Sequence, residues 1–206
     1  MMIFIGLIFV IAAYLIGNLN FAYIVVKFFK KEDVRNYGSG NAGTTNVLRV
    51  MGTKYALPVF LLDALKGSLV ILAGGLIGLN TVYGGLFIAC GGIAVVAGHN
   101  WPVFLQFRGG KGTATSLGVF LTLDWQVSLI AIVIGIIVLV VWKMVSLTSL
   151  VGMLVLPITT IALSRSIWEI ILAFVLFFFS FYQHRKNIGR IIQHRESKIG
   201  QKVKIK

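Results

Sequence analysis

Gly112-Thr-Ala-Thr-Ser-Leu-Gly-Val-Phe-Leu-Thr-Leu123 is the stretch on which the fold turns. It is apolar enough to enter lipid, yet shorter than the roughly 20 residues a helix needs to cross a hydrocarbon core. Longer apolar blocks flank it at 2–26, 55–79, 82–98, 126–142, 145–163 and 167–183. Whether 112–123 crosses therefore sets the side on which everything after it emerges. Charge decides the matter. The connection from Lys27 to Lys54 carries six basic and two acidic residues, and the tail from His184 carries eight basic and one acidic. Basic loops stay in the cytoplasm. The connections at Asn80 and Asp124 hold no charge and a single carboxylate, and Arg165 and Glu169 cancel. The alternation closes only if 112–123 crosses. That predicts an all-α integral membrane protein with seven transmembrane helices, the N-terminus outside and the C-terminus cytoplasmic.

Composition agrees. Only 12% of the 206 residues are charged and 58% are apolar, where soluble domains carry about 25% charged residues. Such a chain cannot cover a water-facing surface, and its solvent is lipid. The formal charge of +13 would suggest nucleic acid in a soluble protein. Here it sits between apolar blocks, beside anionic headgroups, so membrane lipids are the expected partners and nucleic acid is not. Cys90 is the only cysteine, which excludes a disulfide framework within the chain. No metal site or cofactor is expected, nor an obligate protein partner. Met1 to Val26 lacks a basic n-region and runs apolar too long for a cleaved signal, so it reads as the first spanning helix. With no linker or repeat, residues 1–206 form one membrane domain, with 184–206 as its tail.

Three polar islands stand out. In the first, Gly38-Ser-Gly-Asn-Ala-Gly-Thr-Thr-Asn46 followed by Arg49, glycines alternate with short polar residues. The backbone can turn its N–H groups to one point and bind an anion, and a helix starting near Thr44 adds its positive end. Arg49 could add a bidentate phosphate contact. The plainer alternative is a flexible connector with a threonine cap. The second island runs Gly98-His-Asn-Trp-Pro-Val-Phe-Leu-Gln-Phe-Arg-Gly-Gly-Lys-Gly-Thr113 straight into the short block. It is not a Walker loop, since Gly112 follows Lys111 and Leu105 stands where the first glycine belongs. In the third, His184-Arg-Lys-Asn-Ile-Gly-Arg190, spacing three puts His184, Asn187 and Arg190 on one helical face. Asp63 and Lys66 fall inside a spanning helix, where an internal ion pair is at least as expected as catalysis. Ser146 and Ser149 begin the sixth block, where most serines only bond a carbonyl one turn back. All three islands fall on the cytoplasmic side, so they can converge on a phosphate-bearing, lipid-soluble substrate.

Together the three islands resemble, in order and spacing, the motifs of the bacterial acyl-phosphate-dependent glycerol-3-phosphate acyltransferases, the PlsY family. The resemblance spans nearly the whole chain, with Phe107-Arg108 where many members have Phe-Lys. It implies a seven-helix enzyme of the bacterial plasma membrane, active on the cytoplasmic side. Such an enzyme makes 1-acyl-glycerol 3-phosphate from acyl phosphate and glycerol 3-phosphate, with no cofactor. It also implies the site. Ser149, His184, Asn187 and Lys111 are the expected catalytic residues. Ser39, Gly40, Asn41, Gly43, Thr45, Asn46, Arg49, His99, Gly109, Gly110, Gly112 and Arg190 are expected to bind substrate. Arg49 and Lys111 would meet phosphate together with the backbone N–H groups of 39–43 and 109–113, while Ser39, Asn46, Ser149, His184 and Asn187 orient hydroxyls or the carbonyl. One point is independent of the resemblance. Acyl-CoA-dependent enzymes of this kind use His-x4-Asp, but Phe104, Gly189 and Ile199 stand five residues after the three histidines. The rival classes are a transporter or flippase for an anionic solute and a basic membrane scaffold.

Overall fold

The computed structural model describes residues 1–79 and 81–200. The expected outer connection at Asn80 and the last tail lysines, Lys202, Lys204 and Lys206, lie outside the described residues. Among those described there is no strand. The helices are α1 (Met2–Asn18), α2 (Phe21–Lys30), α3 (Thr44–Met51), α4 (Thr53–Gly78), α5 (Gly84–Asn100), α6 (Thr113–Leu123), α7 (Trp125–Trp142), α8 (Val145–Ala162), α9 (Ile167–Gln183) and α10 (Arg185–Ile192). Five segments are long and apolar enough to cross a membrane, or six if α9 and α10 are joined as one span. The 11-residue α6 is not one of them.

The expected first helix, 2–26, differs from what is found. It is interrupted at Leu19 and Asn20 and runs on to Lys30. Asn20 caps the second segment by accepting from the Tyr23 N–H at 2.9 Å. Carbonyls freed at such a break must find donors inside lipid. Lys66 of α4 supplies them, donating to Gly17 O at 3.1 Å and Leu19 O at 2.8 Å. The third block is shifted as well, from 82–98 to 84–100, which puts His99 on the last turn of α5 rather than in a loop. The tail is partly helical too, because α10 leaves α9 at 63° around His184.

α5 is the central post. Val95, Val96, Phe120, Leu172 and Leu176 are fully enclosed around it, while Leu76, Val140 and Ile137 point outward, as lipid-facing side chains do. Small residues let helices cross closely where lipid supplies no hydrophobic drive. A Cβ on Gly118 of α6 would stand 1.8 Å from the Ala64 carbonyl of α4, and one on Gly67 2.3 Å from the Thr115 carbonyl. At one end of the bundle Asp124 caps α7 through the N–H groups of Gln126 and Val127 and pairs with Arg165. Arg165 is therefore matched across the bundle rather than by Glu169, which bonds its own cap, Ser166. The opposite end carries the three islands.

Candidate functional site

The first island folds on itself before it faces anything else. Gly38 and Gly40 take left-handed φ of 58° and 71°, which glycine does without steric cost. Buried Asn46 accepts from Ser39 N–H at 2.9 Å and donates to Val34 O and Tyr37 O at 2.9 and 3.0 Å. Its amide is spent on the loop rather than left for a substrate. Asn41 donates to Gly109 O at 3.2 Å, and Arg35, paired with Asp33, donates to Leu105 O at 2.8 Å. These bonds fasten the first island to the second.

The second island winds back on the end of α5. Gly109 and Gly110 donate to Asn100 O and His99 O at 3.2 and 3.0 Å, and a Cβ on either would fall 2.0–2.1 Å from His99 atoms. These two glycines serve close packing. Ser39 N–H and Gly40 N–H are likewise engaged, by Asn46 and Tyr37 O. Of the N–H groups of 39–43 and 109–113 expected to meet phosphate, those of Ser39, Gly40, Gly109 and Gly110 are thus engaged within the loops. Further donors come from helix starts, whose first-turn N–H groups have no intrahelical acceptor. α3, α6 and α8 begin at Thr44, Thr113 and Val145, and all three residues line one cavity of about 160 Å³.

The third island completes the cavity. Lys111 donates to Asn187 Oδ1 at 2.5 Å. Asn187 Nδ2 donates to Glu196 Oε1 at 2.7 Å, Ser146 donates to the same oxygen at 2.9 Å, and Arg190 Nε donates to Oε2 at 2.7 Å. Nδ1 of His184 stands 2.8 Å from Ser180 O. A carbonyl can only accept, so Nδ1 carries the proton and Nε2 keeps its lone pair. Ser149 donates to Val145 O at 2.9 Å, which leaves its hydroxyl oxygen able to accept. Burial above all brings the Lys111 ammonium down to about 8, with Arg190 and Arg49 adding to the effect and Glu196 opposing it. Burial pushes the Glu196 carboxyl up, but bonds from Arg190, Asn187 and Ser146 outweigh it and hold the group below its usual range.

Of the expected residues, Ser39, Asn41, Gly43, Thr45, Asn46, Arg49, His99, Lys111, Gly112, Ser149, His184 and Asn187 line the cavity. Gly40, Gly109, Gly110 and Arg190 do not line it. Asp63 and Lys66 form the internal ion pair, at 2.8 Å, and Asp63 reaches the cavity floor. Sequence reasoning missed Glu196. The available signal was a lone carboxylate in a tail of eight basic residues. Among the described residues, no cluster of three or more His, Cys, Asp or Glu side chains could hold a metal.

The sequence matches a family model described as glycerol-3-phosphate acyltransferase over residues 7–194. A glycerol-3-phosphate acyltransferase of Thermoanaerobacter pseudethanolicus is 50% identical over 200 residues, covering 95% of this chain and 96% of the relative. One from Clostridioides difficile is 43% identical over 206 residues, covering 98% and 99%. A crystal structure of PlsY, an integral membrane glycerol 3-phosphate acyltransferase, in its glycerol 3-phosphate form aligns with a TM-score of 0.88 at 35% identity, covering 95% of this chain and 96% of that one. The lysophosphatidic acid form gives 0.85 at 34% identity, covering 95% of each.

Proposed function

The chain belongs to the glycerol-3-phosphate acyltransferase family, and on that premise we propose that it moves a fatty acyl group from acyl phosphate to glycerol 3-phosphate. The products are 1-acyl-glycerol 3-phosphate and inorganic phosphate, and the reaction takes place on the cytoplasmic side of the bacterial plasma membrane. One observation carries the reading: all three islands wall one cavity, with Arg49, Lys111 and three helix starts turned to the same space. Positive helix ends and fixed cations suit phosphate oxygens.

An acyl phosphate is an activated mixed anhydride, so a strong protein nucleophile is unnecessary. The glycerol hydroxyl oxygen bonds to the acyl carbon, the bond from that carbon to the phosphate oxygen breaks, and phosphate leaves with the electron pair. The hydroxyl proton passes to a phosphate oxygen, which balances the step. Lys111 and Arg49 neutralise the phosphate charge that develops. Ser149 and the Nε2 lone pair of His184 can accept from glycerol hydroxyls and set their approach, a contribution of proximity. Burial and the Lys111 ammonium bring the His184 ring down to about 4, so it is neutral but only weakly basic, which suits an orienting acceptor better than a base. Asn187 holds Lys111 in place.

The experiment is turnover by purified protein in lipid vesicles, without added metal or nucleotide. Acyl phosphate should yield lysophosphatidate and phosphate one for one, and acyl-CoA should yield none. Equal turnover with acyl-CoA would overturn the donor. Solute movement across the vesicle without product would favour the transporter reading.

A further inference from the structure

One buried cluster is left over by this chemistry. Lys66 Nζ, which has three N–H groups, donates to Gly17 O and Leu19 O at 3.1 and 2.8 Å and lies 3.0 Å from His99 Nδ1, while forming an ion pair with Asp63 Oδ1 at 2.8 Å. Asp63 Oδ1 is also 3.4 Å from His99 Nδ1. All three side chains are at most 3% exposed. Two neighbours thus compete for one ring nitrogen. The ammonium can only donate and needs Nδ1 bare. The carboxylate can only accept and needs Nδ1 protonated. Lys66 is nearer the ring and already engages the competing carboxylate oxygen. The other face of the ring meets the glycine loop, since a Cβ on Gly110 would stand 2.0 Å from His99 Nε2. The next residue is Lys111.

We propose that Lys66 is a positioning residue of the acyl-transfer site: it fixes His99 with Nδ1 bare and Nε2 protonated, and so sets the seat of the 109–112 loop that carries Lys111. The same ammonium ties the loop's support to the break between α1 and α2, which makes one side chain the joint of three segments. A buried hydrogen-bond partner on one ring nitrogen fixes a histidine's tautomer as well as its place. The inference rests on the functional reading above only for its kinetic arm.

Two readouts test it on the full chain in lipid nanodiscs. The first is ¹⁵N labelling of histidine side chains, with the His99 signals identified by their loss in His99→Gln. The wild type should show a protonated Nε2, and Lys66→Met should move the proton to Nδ1, where Asp63 can accept it. The second readout is kinetic. Lys66→Met should lower kcat/KM for glycerol 3-phosphate by about 10- to 100-fold, the scale of an ångström's misplacement. His99→Asn, whose amide nitrogen reaches only the Nδ1 position, should fall as far, and His99→Gln, which reaches the Nε2 position, should be milder. Lys66→Met alone strands a buried carboxylate. The pair Asp63→Asn with Lys66→Met removes both charges and should remain as slow as the single variant. A wild-type His99 protonated at Nδ1 would overturn the proposal, as would a folded double variant with normal kcat/KM. A wild type without acyl-transfer activity would instead sink the functional reading, leaving the tautomer result to stand or fall by itself.

Discussion

Lys111 combines three conditions that a phosphate ligand needs. It sits in a glycine loop, it precedes a helix, and its ammonium is already held by Asn187. Lys111→Ala should lose about 10²–10³-fold in turnover, as when one preorganised donor is removed, while exposed Lys186→Ala should be nearly silent. Lys111→Arg should recover only part, since a wide planar guanidinium does not replace a compact ammonium. The two variants also differ with pH. With the free ammonium held down to about 8, its useful charge is present below that pH and is lost as pH rises through it. The wild-type kcat/KM should therefore fall on the alkaline side of about 8, and Lys111→Arg should flatten that limb because guanidinium keeps its charge. An unchanged limb in Lys111→Arg would assign it to another group. At this scale the sequence was informative wherever a residue's type suggests a role, and Arg49, Lys111 and His184, named on that ground, all line the cavity. It misled at Gly109 and Gly110, because a glycine that frees its N–H for an anion looks the same as one that lets two backbones touch. Glu196 showed in the sequence only as a lone carboxylate in a basic tail, since its three partners meet only through the bend at His184.

Among the elements, α6 crosses α4 at backbone contact, at Gly118 and Gly67. Gly118→Val would place atoms 1.8 Å from the Ala64 carbonyl, so α4 and α6 must part. Overpacking of this kind costs about 1–3 kcal/mol, and here it also drags the loop that α6 begins from. Gly118→Val should lower the thermal unfolding midpoint in detergent and lose activity with it. Gly75→Ala, with nothing within 4 Å of the added carbon, is the matched control and should do neither. Helix positions were largely readable, because apolar block length and the demand for internal hydrogen bonding leave few options in lipid. The break at Leu19 and Asn20 was not, since apolar residues continue on both sides of it. The contact that satisfies it comes from 47 residues away, from Lys66 to the Leu19 carbonyl, and hydropathy carries no trace of such a contact.

For the molecule as a whole, the proposed seven crossings put the α4–α5 turn outside and the islands inside. In a Cys90→Ala background, Val82→Cys, 90% exposed on that turn, should react with an impermeant maleimide on intact cells. Lys31→Cys should react only after permeabilisation. The reverse pattern would invert the chain and place the site on the outer face. The proposed topology rests on charge asymmetry between loops, which survives any rearrangement of the helices between them. The cavity's contents were not, because they depend on bends that hydropathy does not register. The shortness of α6 bears on how the substrates meet. With 11 residues at 1.5 Å each, α6 rises only about 16 Å, little more than half of the roughly 30 Å hydrocarbon slab. On the proposed topology its first turn, and the phosphate seat there, is sunk below the headgroup plane. Water and a small dianion must then descend a short protein-lined well, while the acyl donor keeps its tail at its resting depth. On the proposed function, the reaction brings the soluble partner down to the greasy one, and the new lysolipid is formed already in the leaflet.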